Sequence, residues 1–234
     1  MIMGKNPSNW RELEDWVGQI FKDLNFEVKI GEDFVRNSLN GSIVNIDVWA
    51  KDNSHPTPLI YLIECKHWGK SVSQTVVDGF RSVMNDLGAN VGYIISKKGF
   101  QEGAYEVAEG RNIFLLTYEE FENTFENKWV ESMCQKVINI EEEISDYIKS
   151  DNLIEDSGND YREVVKIKSE IYSLIGFFKF YKKRIKYNKY PFRIIETESV
   201  ESKAFNNRKD YFDNLIPHLI SLKKKFESKI GKQL

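Results

Sequence analysis

Residues 59–66 read LIYLIECK, and the remainder of the first half is best understood outward from them. The run is apolar from Leu59 to Ile63, as in a strand covered on both faces of its sheet. It ends in charge, at Glu64 and Lys66. These two are two residues apart, so on a strand both side chains leave the same face. Upstream, Ile43–Ala50 (IVNIDVWA) also reads as a strand and carries Asp47 in its interior. Between the two runs, Lys51–Pro58 holds Asp52, Asn53, Ser54 and two prolines, the composition of a turn. Asp47, Glu64 and Lys66 therefore stand where a core strand disfavours charge. Buried charges are costly unless paired or bound to metal.

The flanking pattern sets the fold class. Trp10, Leu13, Trp16, Val17, Ile20, Phe21 and Leu24 recur at helical spacing, and Asn9 with Glu12 forms a capping pair ahead of them. Phe26–Ile30 alternates as a strand, and 31–42 reads as a polar loop or hairpin. A helix is predicted from about Ser73, its apolar side formed by Val76, Val77, Phe80, Val83, Met84 and Leu87 and its end set by Gly88. Val91–Ser96 is a second buried strand. Gln101–Glu109 is a short helix stopped by Gly110, Ile113–Leu116 a strand, and Thr117 with Glu120 a capping box for a further helix. The order α-β-β-β-α-β-α-β-α predicts an α/β fold, a three-layer α/β/α core with a mixed sheet, followed by an all-α region.

Two carboxylates on neighbouring strands can hold Mg²⁺ through oxygen ligands while leaving waters on the ion. Such an ion can polarise a phosphoryl oxygen and acidify a bound water, and Lys66 can orient that water or offset developing charge. Spacing alone equally allows strand-end carboxylates with Lys66 as a salt-bridge partner, because ion-pair networks mimic sites.

The longer text narrows this. Asp47 followed by Glu64-Cys65-Lys66 at the end of an apolar strand resembles the PD-(D/E)XK nuclease superfamily, and within it the Mrr-type restriction endonucleases. LEDWVGQIFKDLNFEV (13–28) resembles that family's opening helix and first strand. NIDVWA (45–50) resembles its aspartate strand, and YLIECKHWGKSVSQTVVDGF (61–80) its Glu/Gln-x-Lys strand and following helix. VGYIISKKGFQEGAYEVAEGRNIFLLTYEEF (91–121) resembles its closing elements. Ile46 stands where the signature has proline, and Glu64 where many members carry glutamine.

The resemblance implies a restriction-endonuclease-like fold over 8–124. It further implies Asp47 and Glu64 as metal ligands, Lys66 as a catalytic residue, and Glu14 as an accessory ligand or a partner of Lys66. Gln74 would assist the centre or touch DNA backbone. The implied reaction is Mg²⁺-dependent hydrolysis of a phosphodiester, with Mn²⁺ able to substitute, most readily in double-stranded DNA and in restriction or anti-phage defence. A catalytically silent DNA-binding or assembly module, and a nuclease for RNA or branched DNA, stay open. So does a homodimer. His67 and Trp68 read as a loop rim, and Lys97-Lys98-Gly99 as a basic turn able to meet phosphate.

Composition sets the outer limits. Of 234 residues, 41% are hydrophobic and 29% charged, as in globular rather than disordered chains. No apolar run is long enough to span a bilayer, and MIMGKNPSNW lacks a signal-peptide core. With only Cys65 and Cys134, a reduced, cytoplasmic protein without membrane association is expected. Charge divides sharply. Residues 1–160 carry a net −13, whereas 161–234 hold 18 Lys and Arg against eight Asp and Glu, a net of +10.

The division proposed is therefore a nuclease domain (8–124), a helical connector with the acidic linker Asp151–Asp160 (125–160), and a basic helical accessory region (161–234). The strand–helix pattern closes near 124, so a fragment 1–124 is expected to fold alone. In the basic region, FFKFYKKRIKYNKYPFR (177–193) interleaves aromatics with seven basic residues. Lys182, Lys183, Arg184 and Lys186 are candidate nucleic-acid contacts. The competing reading is an amphipathic helix whose Phe and Tyr side chains face a core, since Ile171, Leu174, Ile175, Phe178 and Tyr181 share one helical face.

Overall fold

In the computed structural model LIYLIECK becomes the third of five strands and the middle of the sheet. The structure describes residues 2–35, 41–149, 161–187, 192–194 and 203–230. The acidic stretch 151–160, residues 36–40 of the expected loop, and 188–191 of the aromatic-basic stretch lie outside the described residues. In chain order the elements are α1 (Trp10–Asp23), β1 (Glu27–Val35), β2 (Ile43–Asp52), β3 (Leu59–Lys66), α2 (Gln74–Leu87), β4 (Val91–Ser96), α3 (Glu102–Ala108), β5 (Ile113–Thr117), α4 (Tyr118–Lys149), α5 (Tyr161–Lys186), β6 (Phe192–Ile194), β7 (Lys203–Phe205) and α6 (Arg208–Ile230).

The five strands lie in sequence order. β1–β2 and β2–β3 pair antiparallel, and β3–β4 and β4–β5 pair parallel, which makes the sheet mixed as the element order requires. The capping signals operate as read. Asn9 Oδ1 accepts from Glu12 N at 3.0 Å, Thr117 Oγ1 accepts from Glu120 N at 3.3 Å, and Gly88 closes α2 with φ 64°.

Each face of the sheet carries its own packing. On one face, Leu62 and Ile94 meet Val77, Phe80 and Met84 of α2 and Ala104 and Val107 of α3. Gly92 makes this contact close enough: a Cβ there would stand 2.6 Å from Phe80 Cε1 and closer still to Met84 Sδ. On the other face, aromatic rings interlock. Phe21 of α1 lies 5.8 Å from Phe121 and 5.2 Å from Phe125 of α4, and Tyr93 of β4 lies 5.7 Å from Phe125.

The chain divides into two compact units, one of residues 3–129 and the other of 130–234 with Ile2. The first thus extends past the close of the strand–helix pattern. Trp129 is fully buried, and its Nε1 donates to Asp23 Oδ2 at 2.7 Å. In the second unit, α5 and α6 pack together, and Lys179 and Lys223 pair with Glu141 and Glu143 of α4. The α5 contribution is Val164, Ile167, Ile171, Leu174, Ile175, Phe178, Tyr181 and Ile185. Two short strands, β6 and β7, pair antiparallel here, so the helical region is not wholly α as expected. Three-residue strands carry no alternation long enough to read.

One further sequence expectation moves in detail. β1 continues past Ile30 to Val35, because 32–35 pairs antiparallel with 43–46 of β2, which favours the hairpin over the loop of the two readings of 31–42. Its polar exposed positions, with Gly31 among them, hide the strand pattern. Among the described residues, no helix is long and apolar enough to cross a membrane.

Candidate active site

Asp47 owes its position to a local failure of strand regularity. The β1–β2 ladder runs from Glu27 to Val35 but skips Gly31, the residue across from Asp47, which adopts φ 63°. The β2–β3 ladder ends at Val48–Ile63, one pair before Asp47 would face Glu64. Ile46 and Trp49 both pack toward α2 and α3 although they are three apart, so side-chain alternation slips once between them. With the ladder ended, the Asp47 carboxylate takes over a backbone role: its Oδ2 accepts from Cys65 N at 2.7 Å. Asp47 is thereby tied to the strand that carries the other two charges.

On β3, Glu64 and Lys66 share a face, and the Lys66 ammonium donates to Glu64 Oε1. The same ammonium lies 3.9 Å from Asp47 Oδ2. All three side chains are largely covered, at 18%, 23% and 14% exposure for Asp47, Glu64 and Lys66. The backbone of Lys66 is held too, its carbonyl accepting from Lys97 N at 3.0 Å while β3 pairs with β4 through Lys66–Ser96. Trp68 lies under the ammonium, 5.2 Å from ring centre to Nζ.

The electrostatics record a shortage of positive charge. Burial raises the Asp47 carboxyl above its usual value, against the Cys65 N–H and Lys66, which lower it. Burial and the Asp47 charge raise Glu64, with Lys66 opposing. Glu14, on α1, is pushed up to about 7, first by burial and then by Asp47. One lysine thus faces three carboxyls, all of them held against ionisation. Among the described residues no three His, Cys, Asp or Glu side chains form a ready-made metal cage. The donor set nonetheless fits Mg²⁺, which binds through one or two carboxylates and fills its shell with waters and substrate phosphate oxygens.

The structure brings Asp47, Glu64 and Lys66 into contact and sets Glu14 within their electrostatic reach. Gln74, the first residue of α2, lies with its amide against Gly103 of α3. His67 sits beside Pro7, Nε2 3.3 Å from its carbonyl oxygen. His67, Lys97 and Lys98 line a cleft of about 360 Å³ with Asn6, Pro7 and Glu119. Sequence reading missed Gly31 and the Cys65 N–H as supports of Asp47. A glycine within FEVKIGED was the available signal. Lys182, Lys183, Arg184 and Lys186 lie in the other unit, all exposed on the last turns of α5.

The chain matches the Mrr catalytic-domain model, described as a restriction endonuclease, over residues 6–125. No curated protein matches it in sequence. Among solved structures, the protein of unknown function AF1548 is similar at 14% identity and a TM-score of 0.42, over 93% of this chain and all of that one. The DNA modification-dependent restriction endonuclease AspBHI is similar at 16% identity and a TM-score of 0.35, over 48% of this chain and 30% of that one. Likenesses this distant carry no argument about chemistry; the family match stands on its own.

Proposed function

The chain belongs to the Mrr catalytic-domain family of restriction endonucleases, and from that premise we propose that it is a divalent-metal-dependent endonuclease hydrolysing phosphodiester bonds in double-stranded DNA. Restriction-endonuclease-like domains are nuclease domains acting on DNA and generally use divalent metal ions. Mg²⁺ as the ion, the residues that hold it, and a role in restricting foreign DNA are our reading. The observation that carries it is the convergence of Asp47, Glu64 and Lys66 where the β2–β3 ladder ends. A purely structural ion pair needs one carboxylate for its lysine. Here two carboxylates meet one ammonium, and a third carboxyl, Glu14, lies within their electrostatic reach.

Asp47 and Glu64 would hold the ion, which when bound supplies Lewis acidity to a phosphoryl oxygen and a water acidified toward neutrality. Cys65 N–H fixes one Asp47 oxygen, so that carboxylate is oriented before substrate arrives. Lys66 carries the positive charge beside the phosphate that is cut, and its ammonium offsets charge developing on the phosphoryl oxygens. Glu14 is the accessory carboxyl, able to take up or release a proton near neutrality because its pKa lies at about 7. The basic turn at Lys97 and Lys98 and the cluster Lys182, Lys183, Arg184 and Lys186 add phosphate contacts that carry no sequence information.

The test is incubation of the full chain with plasmid, linear duplex, single strands and RNA, each with Mg²⁺, Mn²⁺ or EDTA. Duplex cleavage with either ion and none with EDTA is expected. Asp47→Ala, Glu64→Ala and Lys66→Ala should each lose on the order of a hundredfold or more in rate while remaining folded. Undiminished cutting by the folded variants would remove the site assignment. Cutting of RNA alone would replace the substrate.

A further inference from the structure

The aromatic-basic stretch is not resolved in favour of either sequence reading, because α5 divides its rings between two faces. Phe178 and Tyr181 are in the core of their unit. Tyr172, Phe180 and Tyr187 are not: they are 54%, 72% and 59% exposed. Residues 172, 176, 180, 183 and 187 recur at helical spacing, so the three rings form one stripe with Gly176 and Lys183. Gly176 lies in the floor of a shallow notch of about 390 Å³, lined by Tyr172, Ser173, Phe177 and Phe180. A Cβ at Gly176 would meet nothing, so packing within the chain does not require glycine there, although glycine weakens a helix interior.

The charges around the stripe say what covers it. α5 carries eight basic residues and two acidic ones, Glu163 and Glu170. Both acids are taken within the unit, by Lys229 at 2.7 Å and His218 at 3.0 Å. Lys179 is paired with Glu141 at 2.5 Å. Lys182, Lys183, Arg184 and Lys186 form no ion pair with another described residue and flank the rings from Phe180 to Tyr187. A second copy of α5 laid on the stripe would oppose basic residues with basic residues. An apolar protein partner leaves these four cations without a role. Duplex DNA satisfies cations but hides its base faces. An unpaired strand offers both phosphates and open base faces.

We infer that the exposed stripe Tyr172–Phe180–Tyr187 of α5, with Lys183 and Arg184, is a binding surface for single-stranded DNA, the rings stacking on unpaired bases while the cations neutralise phosphates. The inference rests on reading the basic cluster as a nucleic-acid surface and adds its substrate class. It is independent of cleavage, since binding needs no metal. A strand held in this way is an end, flap or opened region of a DNA that also presents duplex.

The experiment is a fluorescence-anisotropy titration of the full chain in EDTA. The labelled probes are an oligothymidylate of about 15 nucleotides, a duplex of equal length, and an equal-length abasic strand. The wild type should bind the oligothymidylate more tightly than the abasic strand. Tyr172→Ala/Phe180→Ala/Tyr187→Ala should weaken oligothymidylate binding at least about tenfold, since each stacked base contributes about 5- to 150-fold, and leave duplex and abasic binding within about twofold. Phe180→Trp should retain affinity and Phe180→Leu should not, because a flat ring, not apolar volume, is what a base meets. Lys182→Gln/Lys183→Gln/Arg184→Gln/Lys186→Gln should weaken all three probes and flatten the salt slope, by about 0.7 per phosphate contact on a single strand.

An unaffected triple-alanine variant, with the glutamine variant weakened, would overturn the stacking surface while leaving the basic cluster intact. Equal binding of abasic and thymidylate strands by the wild type would do the same. A triple-alanine variant that changes oligomer size instead would mean that a second copy covers the stripe. A wild type that binds none of the probes would overturn the stripe and the basic cluster together.

Discussion

Cutting the chain after residue 124, where the strand–helix pattern closes, should leave a fragment that does not fold. Two of the five side chains lost from the first unit are large and covered: Phe125 at 8% exposure and Trp129 at 0%. Phe125 lies 5.2 Å from Phe21, 4.9 Å from Phe121 and 5.7 Å from Tyr93, so its removal opens the aromatic layer between α1 and β4. Trp129 also anchors Asp23, a buried carboxylate that accepts from the indole at 2.7 Å and from Gln19 Nε2 at 2.8 Å. Deleting a buried aromatic typically costs about 3–5 kcal/mol, and a hydrogen bond to a charged group is worth about 1.5–3 kcal/mol. The loss is then roughly 8–13 kcal/mol, against a domain stability of about 5–15 kcal/mol. A fragment extended to residue 132, one turn past Trp129, keeps all of these contacts. Circular dichroism melts of 1–124 and 1–132 make the comparison. Trp129→Phe in the full chain isolates the hydrogen bond, with an expected fall in Tm on the order of 5 °C. A cooperative melt of 1–124 within a few degrees of 1–132 would refute the reasoning.

Glu14→Gln should remove part of the pH dependence of stability. The folded carboxyl titrates at about 7 against 4.5 ordinarily, so the folded state binds the extra proton between these values and stability falls as pH rises through that window. The effect is no more than about 1–2 kcal/mol after solvent screening, and denaturant midpoints at pH 5 and pH 8 in EDTA measure it, the variant losing less on going to pH 8. Mg²⁺ should raise the melting temperature of the wild type, by about 2.7 kcal/mol of added stability at a hundred times the dissociation constant, and leave Asp47→Ala/Glu64→Ala unmoved. Gly92→Ala should cost about 1–3 kcal/mol in urea unfolding, because its methyl group collides with Phe80 and Met84.

The first unit was legible because its signals are local and redundant. Apolar runs such as LIYLIECK, capping pairs such as Thr117–Glu120, and stop glycines such as Gly88 each fix an element without distant partners. Asp47, Glu64 and Lys66 could be found because charge at a buried strand position is conspicuous. What holds them was not legible. The Cys65 N–H, the skipped Gly31 and the one-residue slip between Ile46 and Trp49 are properties of register, which no single strand records. Asp23–Trp129 joins residues 106 positions apart, so it too leaves no local trace. In α5, helical spacing gave the buried face correctly but could not say that Tyr172, Phe180 and Tyr187 would stay uncovered.

The skipped glycine of β1 has a bearing on solubility. Among the described residues β1 is a sheet edge, paired with β2 alone, and nine residues of free backbone would be a template for strangers. Gly31 at φ 63° divides that edge into Glu27–Ile30 and Glu32–Val35, each shorter than the six or seven residues that stack into stable cross-β assemblies. Glu27, Lys29, Glu32 and Asp33 add charge along both halves. A β-branched residue at position 31 disfavours positive φ and pulls the backbone toward extended geometry, merging the halves into one continuous edge. The irregularity that gives Asp47 its setting therefore also serves as a guard against aggregation.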